Sequence, residues 1–258
     1  MQKIDNNDNS NGGQTCPFAI SNKATKIKFN NSDMTPCPIL NSLINKGDLD
    51  ENKEWTRKQI STALVDNKIA SNAFSNFFTQ FILYPNRYFF FPGIQFFPSI
   101  KKPTKLNVKT MQTHNIIEHD VSSSREDFHM GDHVRYNHDR FQLIYKYFKN
   151  KKSITLKELI QYAHYLYKKS VKENDKLNFV NIQFITLIAE KVIIFILLSK
   201  DDRLNLNKLE KVFREESLDG VETNVINMQN FSTNFVKAMY YWNMVSDKSV
   251  LVSLLQFQ

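Results

Sequence analysis

A cysteine set between two prolines, Pro36-Cys37-Pro38, is the residue of this chain best suited to do chemistry. Each proline fixes its own φ, withholds an N–H and pushes its predecessor toward extended geometry, so Cys37 cannot lie inside a regular helix or strand. A stiff turn therefore presents its thiol. An apolar helix follows directly, beginning around Ile39-Leu40-Asn41-Ser42-Leu43-Ile44, and a helix N-terminus favours the anionic form of a nearby sulfur. A thiolate held at one approach angle suits an axial metal ligand; a buried structural cysteine in a tight turn is the alternative. About eighty residues later, Glu118-His119-Asp120 gathers two carboxyl groups and an imidazole. Glu190 is a carboxylate embedded among Leu187, Ile188, Ala189, Val192 and Ile193. Such a carboxylate is costly to bury and is a candidate for acid–base work, with a snorkelling surface position as its alternative.

Positioning these groups falls to helices. The chain has 258 residues, 41% hydrophobic and 23% charged, long enough for one large domain or two small ones, so size does not limit the core. Only six glycines and seven prolines, with few alternating runs, argue for a mostly α fold joined by irregular loops. Helices are predicted from Trp55 through Leu64, from Ile69 to Leu83 with Phe74, Phe77, Phe78 and Phe81 at helical spacing, and from Phe141 to Phe148. A further helix spans Thr155 to Lys168, opened by a capping-box-like Thr155 and Glu158, and two more span Leu204 to Glu216 and Phe231 to Trp242. Val180 to Leu198 is the most apolar stretch. Glu190 and Lys191 interrupt it, and the remaining apolar run is too short to span a bilayer, so it reads as a buried central helix with no transmembrane segment.

The segments Thr35-Pro36-Cys37-Pro38-Ile39-Leu40-Asn41-Ser42-Leu43-Ile44-Asn45-Lys46-Gly47 and His114-Asn115-Ile116-Ile117-Glu118-His119-Asp120-Val121-Ser122-Ser123-Ser124-Arg125-Glu126-Asp127 resemble the two marker segments of the haem-thiolate peroxidases, the family of chloroperoxidase and the unspecific peroxygenases. Ile188-Ala189-Glu190-Lys191 resembles the helix that carries that family's distal acid, and the similarity runs from about Thr35 to about Gly220. The resemblance implies a single compact helical domain enclosing a haem, with Cys37 as axial thiolate of haem b. A thiolate ligand pushes electron density onto iron and favours O–O cleavage. It further implies Glu118, Ser122 and a backbone carbonyl of the same turn around Mg²⁺ (or Mn²⁺) beside a haem propionate, oxygen donors that suit a hard cation. Glu190 becomes the distal acid–base and His119 the group that orients and tunes it, with Asp120 holding the loop or the imidazole. His119, standing where a glycine is common, places the chain nearer the short, histidine-containing branch. The implied activity uses hydrogen peroxide to oxidise or oxygenate a small hydrophobic or aromatic molecule, with halide oxidation as a second activity. A haem-binding helical protein without turnover is the competing reading. The chain departs from the family pattern at Asn45-Lys46-Gly47 for Asn-His-Gly, at Ala189 for glycine, and at Glu216-Ser217-Leu218-Asp219-Gly220, which follows a Glu-Arg-Leu-Pro segment only loosely.

Other classes are disfavoured. The formal charge of +8 comes from scattered lysines with no basic stripe, which argues against a nucleic-acid partner. No Cys-x-x-Cys or His-x-x-x-His set surrounds Cys37, against a zinc protein. Residues 1–32, rich in Asn, Ser, Gly and Lys, read as a flexible arm that Phe18 and Ile20 could anchor, ahead of a domain over 33–258. That arm shows no apolar leader, and with Cys37 a ligand, Cys16 would be a lone thiol; both suggest a cytoplasmic, reducing location. The aromatic segment from Tyr84 to Pro103 is either a loop tucked into the core or an apolar rim to a substrate channel.

Overall fold

The computed structural model describes residues 34–83, 105–114, 118–149, 151–177, 179 and 181–246. The N-terminal arm with Cys16, Phe18 and Ile20, and the aromatic segment from Tyr84 to Pro103, lie outside the described residues.

Helix α1 (Pro38–Asn45) starts where the proline chemistry puts it. Cys37 is its extended N-cap, at φ −104° and ψ 113°, and Pro38 takes the first helical position, where a missing N–H costs nothing. Helix α2 (Arg57–Asp66) begins later than expected because Thr56 and Gln59 form a reciprocal capping box. Trp55 instead lies in extended backbone paired with Leu106, and its ring is buried. Helix α3 (Asn72–Leu83) also starts later than Ile69. Lys68 turns the chain at φ 56°, and Ile69 and Ser71 spend their backbone groups on Ile226. Phe74 stacks on Phe78 at 6.0 Å and meets Phe231 at 5.0 Å, as the helical spacing predicts; the side chain of Phe81 lies outside the described ones.

After the short α4 (Val108–Met111) and the loop carrying residues 118–137, Asn137 caps α5 (His138–Phe148), one turn ahead of the expected start. The Thr155–Glu158 capping box is present at the head of α6 (Leu156–Glu173). This helix outruns its expected end at Lys168: Lys169 pairs with Glu173 one turn on, and buried Ser170 accepts a hydrogen bond from Arg140 Nη2. Helix α7 (Asn181–Leu198) matches the apolar stretch. Three strands, β1 (Ser153–Ile154), β2 (Ser199–Lys200) and β3 (Arg203–Asn205), form an antiparallel sheet in the order β1-β3-β2, with Leu204 opposite both Ile154 and Ser199. Leu204 is thus a strand residue and not a helix start; Asn205 caps α8 (Leu206–Glu215) behind it. Strands this short carry no alternation to read. Helix α9 (Met228–Val245) closes the fold.

Helices α6, α7 and α9 pack against one another. Trp242 of α9 sits at their junction, 5.1 Å from the ring of Phe184 on α7 and 5.0 Å from His164 on α6. The buried apolar residues form one cluster from Ile39 to Trp242. Among the described residues no helix is long and apolar enough to cross a membrane. The consequence for the site is that α1, the 118–127 loop and α7 are all tied to one core.

Candidate functional site

Cys37 is partly exposed at the head of α1, and the first-turn amides of Leu40 and Ile39 hydrogen-bond its sulfur. Burial nevertheless pushes the thiol up to about 11; those amides and the nearby Arg125 pull it down, and Glu216 pushes it up. The turn itself is stitched by polar side chains. Thr35 N donates to Asn41 Oδ1 at 2.8 Å, Asn41 Nδ2 returns a bond to Thr35 O at 2.8 Å, and Thr35 Oγ1 donates to Cys37 O at 3.1 Å. Asn41 Nδ2 also donates to Glu216 Oε2 at 2.8 Å, and Asn45 Nδ2 to the Glu216 carbonyl at 2.9 Å.

Glu216 carries the turn's connection to the second motif. It follows α8 in left-handed geometry, φ 49°, and its other oxygen accepts from Arg125 Nη2 at 2.7 Å. Arg125 spends its remaining donors on Val134 O at 2.6 Å and Ser124 Oγ at 2.9 Å. Both side chains are only 3% exposed, so this ion pair has no competing water. Burial lifts the Glu216 carboxyl above its ordinary range, and Arg125 and Asn41 recover part of that.

The 118–127 loop is fixed from inside. Val121 has φ 69°, a conformation that costs a β-branched residue roughly 1–3 kcal/mol, and its amide donates to Asp127 Oδ1 at 2.8 Å. Arg140, buried on α5, reaches Ser122 O at 3.1 Å and Asp127 Oδ1 at 3.4 Å. Ahead of Val121 alternate side chains go to two neighbourhoods, Glu118 and Asp120 to one and His119 to the other.

In the first, Glu118 Oε2 lies 2.5 Å from His114 Nδ1, and His114 stacks on Phe128 at 4.4 Å. His114, Glu118 and Asp120 each offer one ligand atom within 4.8 Å of the others. Glu118 Oε1 and Asp120 Oδ2 are buried and find no hydrogen-bond partner among the described residues. Burial raises Asp120 above its ordinary value, against the Phe128 amide, which donates to Oδ1 at 2.8 Å. Burial opposes the charged form of His114 too, yet the bond and charge of Glu118 outweigh it, so the ring is raised. Ser122 is buried beside this cluster in sequence, with its hydroxyl accepting from Ser124 N at 3.3 Å.

In the second, His119 Nε2 is 2.7 Å from Glu190 Oε2, so the structure brings together the pair that sequence reasoning matched. His119 Nδ1 donates to the Asp120 carbonyl at 2.8 Å, so the bond from Nε2 to the anionic carboxylate needs a ring protonated on both nitrogens. Asp120 therefore holds the imidazole through its backbone and the loop through its side chain. Glu190 Oε1 is 2.5 Å from Lys191 Nζ, and Nζ also donates to Ser123 Oγ at 2.8 Å. Burial would raise Glu190, but the Lys191 charge and the His119 bond outweigh it and hold the carboxyl well below the usual carboxylate range. His119 is raised, the Glu190 bond and charge overcoming burial and the opposing charge of Lys191.

Five residues escaped sequence reasoning. His114, Arg125 and Asn41 stood inside the marker segments without an assigned partner, and Lys191 in Ile188–Lys191 and Glu216 in Glu216–Gly220 stood without a role. A separate surface cavity, lined by Ser199, Lys200, Asp201, Asp202, Lys208, Glu222 and Asn224, contains none of the site residues.

A protein-family model described as "Peroxidase, family 2" matches residues 29–237. A search of curated proteins returns no match.

The buried pair sets a testable cost. Replacing Glu216 by Ala strands the Arg125 charge, and urea unfolding should show a loss of about 3–5 kcal/mol, whereas the double replacement Arg125→Met, Glu216→Leu should recover most of it. A loss below about 1 kcal/mol in the single variant would mean that water reaches the pair.

Proposed function

This chain belongs to the chloroperoxidase-like haem-thiolate peroxidase family, and from that premise we propose that it uses hydrogen peroxide to oxidise or oxygenate a small hydrophobic or aromatic molecule, with halide oxidation as a second activity. The observation that carries the reading is the His119–Glu190 pair at 2.7 Å, a positioned carboxylate with a defined imidazole behind it.

The residues fit the cofactor. Cys37 would hold the iron of haem b: its sulfur lies against first-turn amides that favour an anion, and a bound cation deprotonates a thiol that burial alone keeps protonated. When bound, haem b supplies the iron at which the peroxide O–O bond breaks. Glu118 and Ser122 would hold a divalent cation, Mg²⁺ or Mn²⁺, that neutralises a propionate. Glu118 Oε1 and Asp120 Oδ2, buried with no hydrogen-bond donor among the described residues, support a cation here, because buried acceptors without donors are otherwise costly.

Glu190 does the proton work. Its carboxylate is 24% exposed, so a small molecule can reach it, and one free lone pair can take the proton from hydrogen peroxide. The same proton is then returned to the departing hydroxide, which leaves as water. His119 keeps the carboxylate turned toward that task by holding Oε2, and the Asp120 carbonyl keeps the ring from flipping.

Three measurements test these roles. The reduced, CO-bound protein should show a thiolate-type spectrum that Cys37→Ala removes and Cys16→Ala preserves; an unchanged spectrum in the Cys37 variant would sink the reading. Elemental analysis should find a tightly held divalent ion that Glu118→Ala loses together with much of the haem, and full haem occupancy without such an ion would rule the cation out. Stopped-flow mixing with peroxide should find Glu190→Gln at least ~100-fold slower at unchanged haem content, and His119→Ala slowed less. A Glu190→Gln protein as fast as the parent would move the proton work elsewhere.

A further inference from the structure

Lys191 is the odd residue of helix α7. It is 2% exposed, flanked in sequence by the buried Ile188, Val192 and Ile193, and its ammonium has left water entirely. Burying a lysine carries a heavy desolvation cost, and a leucine or methionine would fill the same space without it, so core stability does not account for the cation. Its two contacts do. Nζ lies 2.5 Å from Glu190 Oε1 and 2.8 Å from Ser123 Oγ, and Ser123 is itself buried.

Adjacent residues on a helix point about 100° apart, so Lys191 and Glu190 do not meet by default. The long lysine stem must fold back along the helix for Nζ to reach Oε1. That return is directed by Ser123, which lies on the 118–127 loop and not on α7. The ammonium thus joins the proposed distal acid to the loop that also supplies His119. With Lys191 on Oε1 and His119 on Oε2, neither carboxylate oxygen can rotate away without losing a charged partner.

We infer that Lys191 is a positioning residue for Glu190, bridging it to Ser123 so that the carboxylate is held against the 118–127 loop by two cations on two different elements. The inference rests on the acid–base reading of Glu190. Its first consequence is geometric: one orientation of the carboxylate persists through turnover. Its second is electrostatic. The groups facing Glu190 are His119 from the loop and Lys191 from its own helix, and the added charge of Lys191 keeps the carboxylate anionic into more acidic solution than His119 alone. Lys191 therefore sets the acidic limit of the pH range in which the site can accept a proton.

The test uses the haem-loaded protein and two readouts: the rate of reaction with hydrogen peroxide, and the affinity of the ferric protein for cyanide, which binds as the anion after a distal base takes the proton of HCN. Both are followed against pH. Lys191→Met should move the acid limb of both profiles upward by at least ~1 pH unit. Ser123→Ala keeps the charge but loosens its anchor, so it should slow the peroxide reaction about 10-fold and leave the limb in place. In a Glu190→Gln background, Lys191→Met should add no further change, because it acts through that carboxylate. Haem absorbance and a thermal melt check that each variant is folded, and should Lys191→Met fail to fold, the Ser123→Ala arm decides by the split between rate and limb. A Lys191→Met limb that stays with the parent, while Glu190→Gln is slow, overturns the role of Lys191 and leaves the acid–base reading standing. A Glu190→Gln protein at parental rate overturns both.

Discussion

Arg125 and Glu216 face each other where water does not reach, and the rest of the site depends on that contact. Two opposite charges removed from solvent are stable only while each has its full set of partners. Arg125 has them on Val134, Ser124 and Glu216, and the Glu216 carboxylate has them on Arg125 and Asn41, while Asn45 holds its backbone carbonyl. Satisfying the pair therefore forces three separate stretches of chain into one arrangement: the Cys37 turn with α1, the 118–127 loop, and the end of α8. No apolar contact could impose this, because dispersion and hydrophobic burial are indifferent to the direction in which a side chain points.

The loop is the common member of both halves of the site. Arg125 at one end of it governs the surroundings of Cys37, while His119 and Ser123 govern those of Glu190. Between them the backbone passes through Val121 in a left-handed conformation that its branched side chain resists, with Asp127 and Arg140 supplying the hydrogen bonds that hold it there. The strain is local and the compensation is not. It is drawn from α5, whose position is fixed by the core. The Cys37 turn and the Glu190 carboxylate are in this way set against a shared piece of backbone and not against one another.

What the amino-acid order discloses, and what it withholds, follows from range. Pro36 and Pro38 act on their immediate neighbours, so the Cys37 turn and the start of α1 are legible; so is the Thr155–Glu158 box, which closes within one turn. The apolar run of α7 is equally plain. Arg125 and Glu216 are 91 positions apart and have no spacing signature, and the fold-back of Lys191 onto its own neighbour contradicts the usual geometry of adjacent helical residues. Strand β3 alternates exposed, buried, exposed over only three residues, too few to stand out from a helical pattern, which let Leu204 pass for a helical residue. Asp120 divides its work between carbonyl and carboxylate, and a one-letter code cannot express that division.

The bond from Asn41 to Glu216 spans 175 positions, and this reach has a consequence for the life of the chain during its manufacture. While the ribosome has delivered only the first two hundred residues, the Cys37 turn exists but its anchor does not, and closing so long a loop is slow compared with forming the local helices. The thiol spends translation in an unfinished cradle, open to whatever oxidant or stray metal the surrounding fluid holds. The hydrogen-bond set of the turn is in consequence completed only once Glu216 has emerged.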